Sequence, residues 1–389
     1  MAQLSSAKKN IKIAMIAGEP SGDDLGGAII RALKIAVKKK YPKQQLTFIG
    51  IGGASMAAAG LKSFFPISKI AKMGLVELLP HIPEMIGLIK KTIIFLKKEK
   101  PDILITIDIP DFSKRVARGL ADQHFKKIHL VAPSVWAWRS KRRFLYAKIF
   151  DALFCLYPFE AKYFADTKLK TFTMGHPLVA EANTAMKKYH RQPIKKYPQV
   201  LMLAGSRYAE LRYHLPLLCD VIKKNNFLPA KTHYVFYTRP YLKADLEYMI
   251  KKYHLGSYHI SIISDDKQKW RWFFSSDVAL VCMGTATLEV LLAGLPMVAF
   301  YKTAALTVFI VRKLIKVATV CLPNLLAGKN IVPELIQKDA STEKLITLAK
   351  QQYDIGKQGV KRDYTHALKK LRLIPDPATR AANEIVKWV

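Results

Sequence analysis

The chain has 389 residues, half of them apolar, which is enough to bury the cores of two ordinary domains and excludes a largely disordered chain. Lys and Arg number 63 against 29 acidic residues, and a formal charge of +34 points to an anionic partner, either nucleic acid or an acidic lipid surface. The four cysteines (155, 219, 282 and 321) form no CxxC pair and the ten histidines show no HExxH-like spacing, so reduced core thiols in the cytosol are expected and a metal site is not.

IKIAMIA (11–17) reads as a buried first strand rather than a leader, because it runs into GEPSGD (18–23) and not into a cleavage site. GEPSGD lacks the spacing of GxGxxG and the GK[ST] ending of a P-loop. It is a polar strand-to-helix turn in which Glu19, Ser21 and Asp23 offer carboxylate and hydroxyl groups, with Asp23 alternatively capping the helix that continues as GGAIIRALKIAVKKK (26–40). LTFIGI (46–51) is the next strand. MGLVELLPHIPEMIGLIKK (73–91) is an apolar loop and helix followed by lysines, too short and too interrupted to span a bilayer of about 20 residues' depth. DILITID (102–108) is a third strand, ending in IDIPDF (107–112). There Asp108 closes an apolar run and is expected half-buried with a raised pKa, as suits a general base, while Asp111 orients the turn past Pro110.

KIHLVA (127–132) leads into APSVWAWR (132–139), where Trp136 and Trp138 adjoin Arg139, Lys141, Arg142 and Arg143. DALFCLY (151–157) and TFTM (171–174) complete the first alternation of strands and helices. The polar, basic stretch 180–199 reads as a linker, after which the pattern restarts with QVLMLAGSR (199–207), THYVFYT (232–238), HISII (259–263), DVALVCM (277–283) and PMVAFY (296–301). The fold class expected is therefore α/β, two Rossmann-like domains with a cleft between them. The boundaries expected are 1–180, joined by a C-terminal helix 366–389, and 190–365.

In such sheets ligands bind beyond the carboxyl ends of the strands, which singles out GEPSGD and IDIPDF in the first domain and AGSR and MGTATLE in the second. In AGSRYAE (204–210), Gly205 permits close backbone approach and Arg207 offers a planar fork for phosphate oxygens. In MGTATLEVLLAGLP (283–296), Gly284 ends a strand and Thr285 and Thr287 open a helix whose free amides suit a diphosphate. Glu289, one turn in, can accept the two ribose hydroxyls of a nucleotide, and Asn324 in CLPNLLAGK (321–329) either binds a ligand or caps a turn.

GEPSGD, IDIPDF, APSVWAWR, AGSRYAE, MGTATLEVLLAGLPMV and LPNLLAGK, in this order over nearly the whole chain, closely resemble the lipid A disaccharide synthase family. The resemblance implies a metal-independent, inverting glycosyltransferase of GT-B architecture without cofactors. It joins UDP-2,3-diacylglucosamine to 2,3-diacylglucosamine 1-phosphate (lipid X), giving a β-1,6-linked disaccharide 1-phosphate and UDP. Two positions depart from the family pattern: Ala204 stands where proline is commoner and Met283 where serine is commoner, both on the nucleotide side.

For that transfer the base has to come from the acceptor side, and by the strand-end rule Asp108 is expected to be it, with Glu19 and Asp23 as the alternatives. Gly205, Ser206, Arg207, Glu210, Gly284, Thr285, Thr287, Glu289 and Asn324 hold the UDP-sugar, and Glu19, Ser21, Asp23, Trp136 and Arg139 hold the acceptor. The acylated, anionic substrates account for the positive charge, with Val76, Leu78, Leu79, Lys90 and Lys91 expected to contact an anionic membrane surface on the cytoplasmic face of the inner membrane. No nucleic-acid motif accompanies the charge, so nucleic acid is not an expected partner. A homodimer with exchanged C-terminal segments is a state the resemblance allows.

Overall fold

The computed structural model describes residues 10–71, 78–189, 197–225, 228, 231–304, 319–372 and 376–388. Thirteen strands are described: β1 (Asn10–Ala17), β2 (Gln45–Ile51), β3 (Leu61–Ser63), β4 (Ile103–Ile107), β5 (Lys126–Leu130), β6 (Ala152–Cys155), β7 (Lys170–Thr173), β8 (Gln199–Leu203), β9 (His233–Tyr237), β10 (His259–Ile263), β11 (Val278–Cys282), β12 (Met297–Tyr301) and β13 (Glu334–Ile336). The helices beside the first seven strands are α1 (Pro20–Lys40), α2 (Ala54–Ala58), α3 (Ser68–Ala71), α4 (Leu78–Glu99), α5 (Pro110–Arg118) and α6 (Arg142–Ile149). The remaining helices are α7 (Pro177–Tyr189), α8 (Tyr208–Lys223), α9 (Lys243–Lys252), α10 (Asp266–Ser275), α11 (Thr285–Leu292), α12 (Leu322–Ala327), α13 (Thr342–Arg372, kinked at Gly356) and α14 (Pro377–Ile385).

The chain divides into two compact units, 1–177 with 374–389, and 178–373. Unit 1 holds a seven-stranded sheet in the order β3-β2-β1-β4-β5-β6-β7, every pair parallel. Parallel strands covered on both faces carry unbroken apolar runs, which is why β1 and β4 read so clearly from sequence. Alternate residues then serve opposite layers. Ile13 and Met15 pack with Ile29 and Leu33 of α1 and Ile385 of α14, whereas Ala14 and Ile16 pack with Val116 of α5 and Tyr146 of α6. Unit 2 holds a six-stranded parallel sheet, β10-β9-β8-β11-β12-β13, whose core joins Val200 and Met202 to Leu211, Leu215 and Leu218 of α8 and Leu345 of α13.

Each sheet reverses its strand order once, between β1 and β4 in unit 1 and between β8 and β11 in unit 2. At such a switch point the two flanking connections diverge to opposite faces and leave a crevice at the strands' carboxyl ends. GEPSGD and IDIPDF flank the first reversal, and AGSR and MGTATLE flank the second.

Several sequence expectations need adjustment. Residues 180–189 of the expected linker are helical, forming most of α7, because Val179, Ala182 and Ala185 give that stretch a buried face. Helix α1 starts at Pro20, so Ser21 and Asp23 lie in its first turns rather than in a loop, and Glu19 is the capping residue. The expected C-terminal helix 366–389 is not one element: residues up to Arg372 end α13 in unit 2, and α14 packs on α1 in unit 1. The strands β3 and β13, three residues each, carry too little pattern to be found beforehand. Among the described residues, no helix is long and apolar enough to cross a membrane.

Candidate active site

In unit 1 the chain leaves β4 through two consecutive left-handed residues, Asp108 (φ +53°) and Ile109 (φ +42°), before Pro110 opens α5. A side chain in that region strains the backbone by about 1–2 kcal/mol per residue, so the surroundings must enforce it. They do so by hydrogen bonds. The Asp108 amide donates to the Leu130 carbonyl at the end of β5 (3.0 Å), and the buried Ser113 hydroxyl donates to the Asp108 carbonyl (2.8 Å). The buried Tyr146 hydroxyl donates to the Pro110 carbonyl (3.3 Å). The Asp108 carboxylate itself has no side-chain partner among the described residues. Burial, assisted by the nearby Glu19 carboxylate, raises its pKa to about 6 against the pull of the Ile109 amide. Asp111 behaves oppositely: Lys114 (2.9 Å) and Arg142 (3.5 Å) hold its carboxyl below the usual range despite partial burial.

The loop after β1 lies against this turn. A Cβ on Gly18 would sit 2.6 Å from Ile109 Cδ1, so only glycine allows the approach. Glu19 and Ser21 are exposed at the start of α1. Asp23 is not available as the sequence suggests. It is 6% exposed, and its carboxylate accepts the amides of Gly53 (2.7 Å), Ser55 (2.9 Å) and Met56 (3.1 Å) at the start of α2. It anchors that turn, and the acceptor role is withdrawn.

Beyond β5, two members of the cationic cluster are committed to carboxylates. Arg143 forms a bidentate pair with Asp166, and Arg142 pairs with Asp111. The Trp138 ring lies under two guanidinium groups, Arg139 at 4.4 Å and Arg142 at 5.3 Å from its centroid. Arg139, itself left-handed (φ +51°), is exposed and has no carboxylate partner among the described residues. Trp136 is partly buried and edge-on to Phe159 (5.6 Å). Its indole neighbours Glu160, a buried carboxyl that accepts the Tyr157 amide (2.9 Å) and whose pKa burial pushes up to about 8. Val76 lies outside the described residues; Leu78 and Leu79 begin the backbone of α4, on which Lys90 and Lys91 are exposed.

In unit 2, Gly205 takes φ +120°, and a Cβ there would meet the Glu210 side chain at 2.6 Å. Glu210 turns inward to accept the amides of Ser206 (2.8 Å) and Arg207 (3.3 Å), so it shapes the loop rather than offering itself to a ligand. The Tyr241 hydroxyl ties down the Ser206 carbonyl (2.6 Å). The Arg207 side chain is 70% exposed and only grazes Glu210 (3.4 Å). Gly284 (φ +150°) and Thr285 stand exposed at the start of α11, with open space where a Cβ would project from Gly284. Thr287 is buried and donates its hydroxyl back to the Gly284 carbonyl (2.8 Å), which removes it as a direct ligand. Asn324 is likewise consumed: it accepts the Ile331 and Val332 amides (both 2.9 Å) and donates to the Val332 carbonyl (3.0 Å). Of its two readings, the turn cap is the one observed. Glu289 is nearly buried, with Oε1 held 2.9 Å from Lys269 Nζ.

The sequence matches the profile of the lipid-A-disaccharide synthetase family over residues 13–386. The chain belongs to this family. It is 36% identical over 352 residues to the lipid-A-disaccharide synthase of Alcanivorax borkumensis, covering 88% of each chain. It is 40% identical over 332 residues to that of Rickettsia bellii, covering 84% of each. Among solved structures, a UDP-GlcNAc 2-epimerase from Neisseria meningitidis bound to UDP-GlcNAc superposes with a TM-score of 0.60 over 97% of this chain and 98% of that one, at 12% identity, a likeness of fold. This chain is a glycosyltransferase acting in lipid A biosynthesis, built of two parallel-sheet α/β units.

Sequence reasoning missed three groups that the fold brings to the strand ends: Ser113, Lys269 and Glu160. Ser113 follows IDIPDF directly and carried no signal of its own. Lys269, within KQKWRWFF, is a lysine in an aromatic run, and Glu160, within YPFEAKYF, is an acid in another; a charge so placed must find a partner or change its pKa.

Proposed function

We propose that the enzyme transfers 2,3-diacylglucosamine, with inversion, from UDP-2,3-diacylglucosamine to the 6-hydroxyl of 2,3-diacylglucosamine 1-phosphate, and that Asp108 is the base. The acceptor hydroxyl gives its proton to the Asp108 carboxylate as its oxygen bonds to the donor's anomeric carbon. The bond from that carbon to the diphosphate breaks, and UDP leaves with the electron pair. The observation that carries the assignment is the Asp108 carboxylate: half-buried, without a side-chain partner among the described residues and raised to about 6 at the end of β4, so it is ionised yet basic near neutral pH. The strained turn that presents it is held from below by Ser113 and Tyr146.

The leaving diphosphate needs its charge absorbed. Arg207 and the exposed amides at Gly284 and Thr285, opening α11, suit that role. Ser206 borders the same loop, Gly205 and Glu210 shape it, and Glu289 is assigned to the ribose hydroxyls. The neighbouring fold bound to UDP-GlcNAc supports a UDP-sugar donor. For the acceptor, Arg139, which has no carboxylate partner among the described residues, suits a sugar 1-phosphate, Trp136 lines the same loop, and Glu19 and Ser21 are placed for sugar hydroxyls. The formal charge of +34 and the exposed Lys90 and Lys91 support peripheral binding to an anionic membrane on its cytoplasmic face. A homodimer is compatible with this scheme and not required by it.

The test is a product assay with both substrates and chelator, comparing the wild type with Asp108→Asn and Glu19→Gln. The disaccharide 1-phosphate and UDP should form in equal amounts, and Asp108→Asn should lower turnover roughly 10²–10⁴-fold with UDP binding kept. Near-wild-type turnover in Asp108→Asn, with loss in Glu19→Gln, would move the base to Glu19.

A further inference from the structure

Three helices of unit 2 converge on one buried cation. Lys269 in α10 is 5% exposed, and its ammonium lies 2.9 Å from Glu289 Oε1 in α11 and 2.9 Å from Glu181 Oε1 in α7. The Trp270 indole donates to the same Glu181 oxygen (2.7 Å), fixing that carboxylate in turn. Desolvating such a group costs so much that apolar replacements of buried ion pairs are often as stable, so stability alone is a weak reason to keep one.

The geometry supplies another reason. Glu289 commits Oε1 to Lys269, whereas its Oε2 accepts no hydrogen bond among the described residues, and the residue retains 8% exposure. One turn back along α11 stand the exposed Gly284 and Thr285. A carboxylate that must accept two adjacent hydroxyls has to be held in one rotamer and kept ionised, and a lysine ammonium on one oxygen does both. We propose that Lys269 is a positioning residue for the nucleotide-sugar, holding the Glu289 carboxylate so that its second oxygen meets the ribose hydroxyls. This rests on the assignment of Glu289 to the ribose.

The other charged or titratable groups acting on Glu289 are Glu181 from α7, Arg239 from the loop after β9, and Tyr237 at the end of β9. Burial raises the Glu289 pKa, and Lys269 is the main opposing influence. Without Lys269 the carboxyl rises further, so it protonates at a higher pH than in the wild type and loses its charge as an acceptor. The affinity lost by removing Lys269 must therefore grow as pH falls.

The experiment measures UDP affinity by calorimetry at pH 8 and pH 6 for the wild type, Lys269→Met, Lys269→Gln, Lys269→Arg and Glu289→Gln. Taking each variant's ratio to wild type at the same pH cancels titration of the nucleotide. Lys269→Met should bind UDP about tenfold more weakly at pH 8, the worth of one charge-assisted hydrogen bond, with a larger deficit at pH 6. Lys269→Arg should recover most of the loss. Should the methionine variant not fold, Lys269→Gln keeps a donor but not the charge and must show the same growing deficit. Weaker UDP binding in Glu289→Gln together with wild-type ratios for Lys269→Met or Lys269→Gln at both pH values overturns the positioning role and leaves the ribose assignment standing. Unchanged UDP affinity in Glu289→Gln overturns both.

Discussion

Asp23→Ala separates support from substrate contact. The carboxylate accepts three amides, at 2.7, 2.9 and 3.1 Å, from Gly53, Ser55 and Met56. A hydrogen bond to a charged group contributes about 1.5–3 kcal/mol, but three to one carboxylate do not simply add. Gly53 and Ser55 are partly exposed, so water can replace some of what is lost, whereas the Met56 amide is buried and is left unpaired. The net cost expected is roughly 2–4 kcal/mol in unit 1, or about 5–12 °C in the transition of a domain of this size. Asp23→Asn keeps one accepting oxygen and should fall about midway. Thermal denaturation followed by circular dichroism reads the loss, and calorimetry with UDP should find unchanged affinity, since the UDP assignments lie in unit 2. If Asp23→Ala melts with the wild type while KM for the acceptor rises steeply, the carboxylate contacts substrate and the anchoring argument is wrong.

Glu160 gives a pH signature in stability. Its folded pKa, raised by burial to about 8, exceeds that of an unfolded glutamate, so the folded state holds a proton that the unfolded state releases. Unit 1 should therefore lose stability as pH rises from about 4.5 to 8, and Glu160→Gln should flatten that slope; equal slopes in denaturant titrations would refute it. Arg207→Ala should weaken UDP binding about 10–100-fold, the worth of a charge-assisted phosphate contact, and unchanged affinity would remove Arg207 from the donor site. Alanines at Lys90 and Lys91 should reduce binding to phosphatidylserine vesicles about tenfold or more at ~0.1 M salt, with UDP affinity kept, and salt-insensitive binding would contradict a screened electrostatic contact.

How much was legible beforehand divides along a physical line. Apolar runs such as IKIAMIA and DVALVCM announce buried parallel strands because both sheet faces are covered, and Asp108 was findable because an acid closing such a run must be half-buried. Side-chain partners were not legible. Asp23, Glu210, Thr287 and Asn324 look like ligand-binding groups by residue type, yet each is spent on backbone amides or carbonyls within 40 residues of itself. Whether a polar side chain at a strand end points at substrate or at its own loop depends on backbone direction, which residue order alone does not encode. Lys269 illustrates the converse. Its two carboxylate partners lie 88 residues before it and 20 after it, and only the packing of three helices brings them together.

The most direct test of Asp108 as the base is the pH dependence of kcat/KM for disaccharide formation in the wild type and in Asp108→Asn. The account predicts that wild-type activity falls on acidification with a midpoint near the raised value of about 6, and that Asp108→Asn, slower by roughly 10²–10⁴-fold, loses that limb. An identical acid limb in both proteins, or a variant that turns over at close to the wild-type rate, would contradict it.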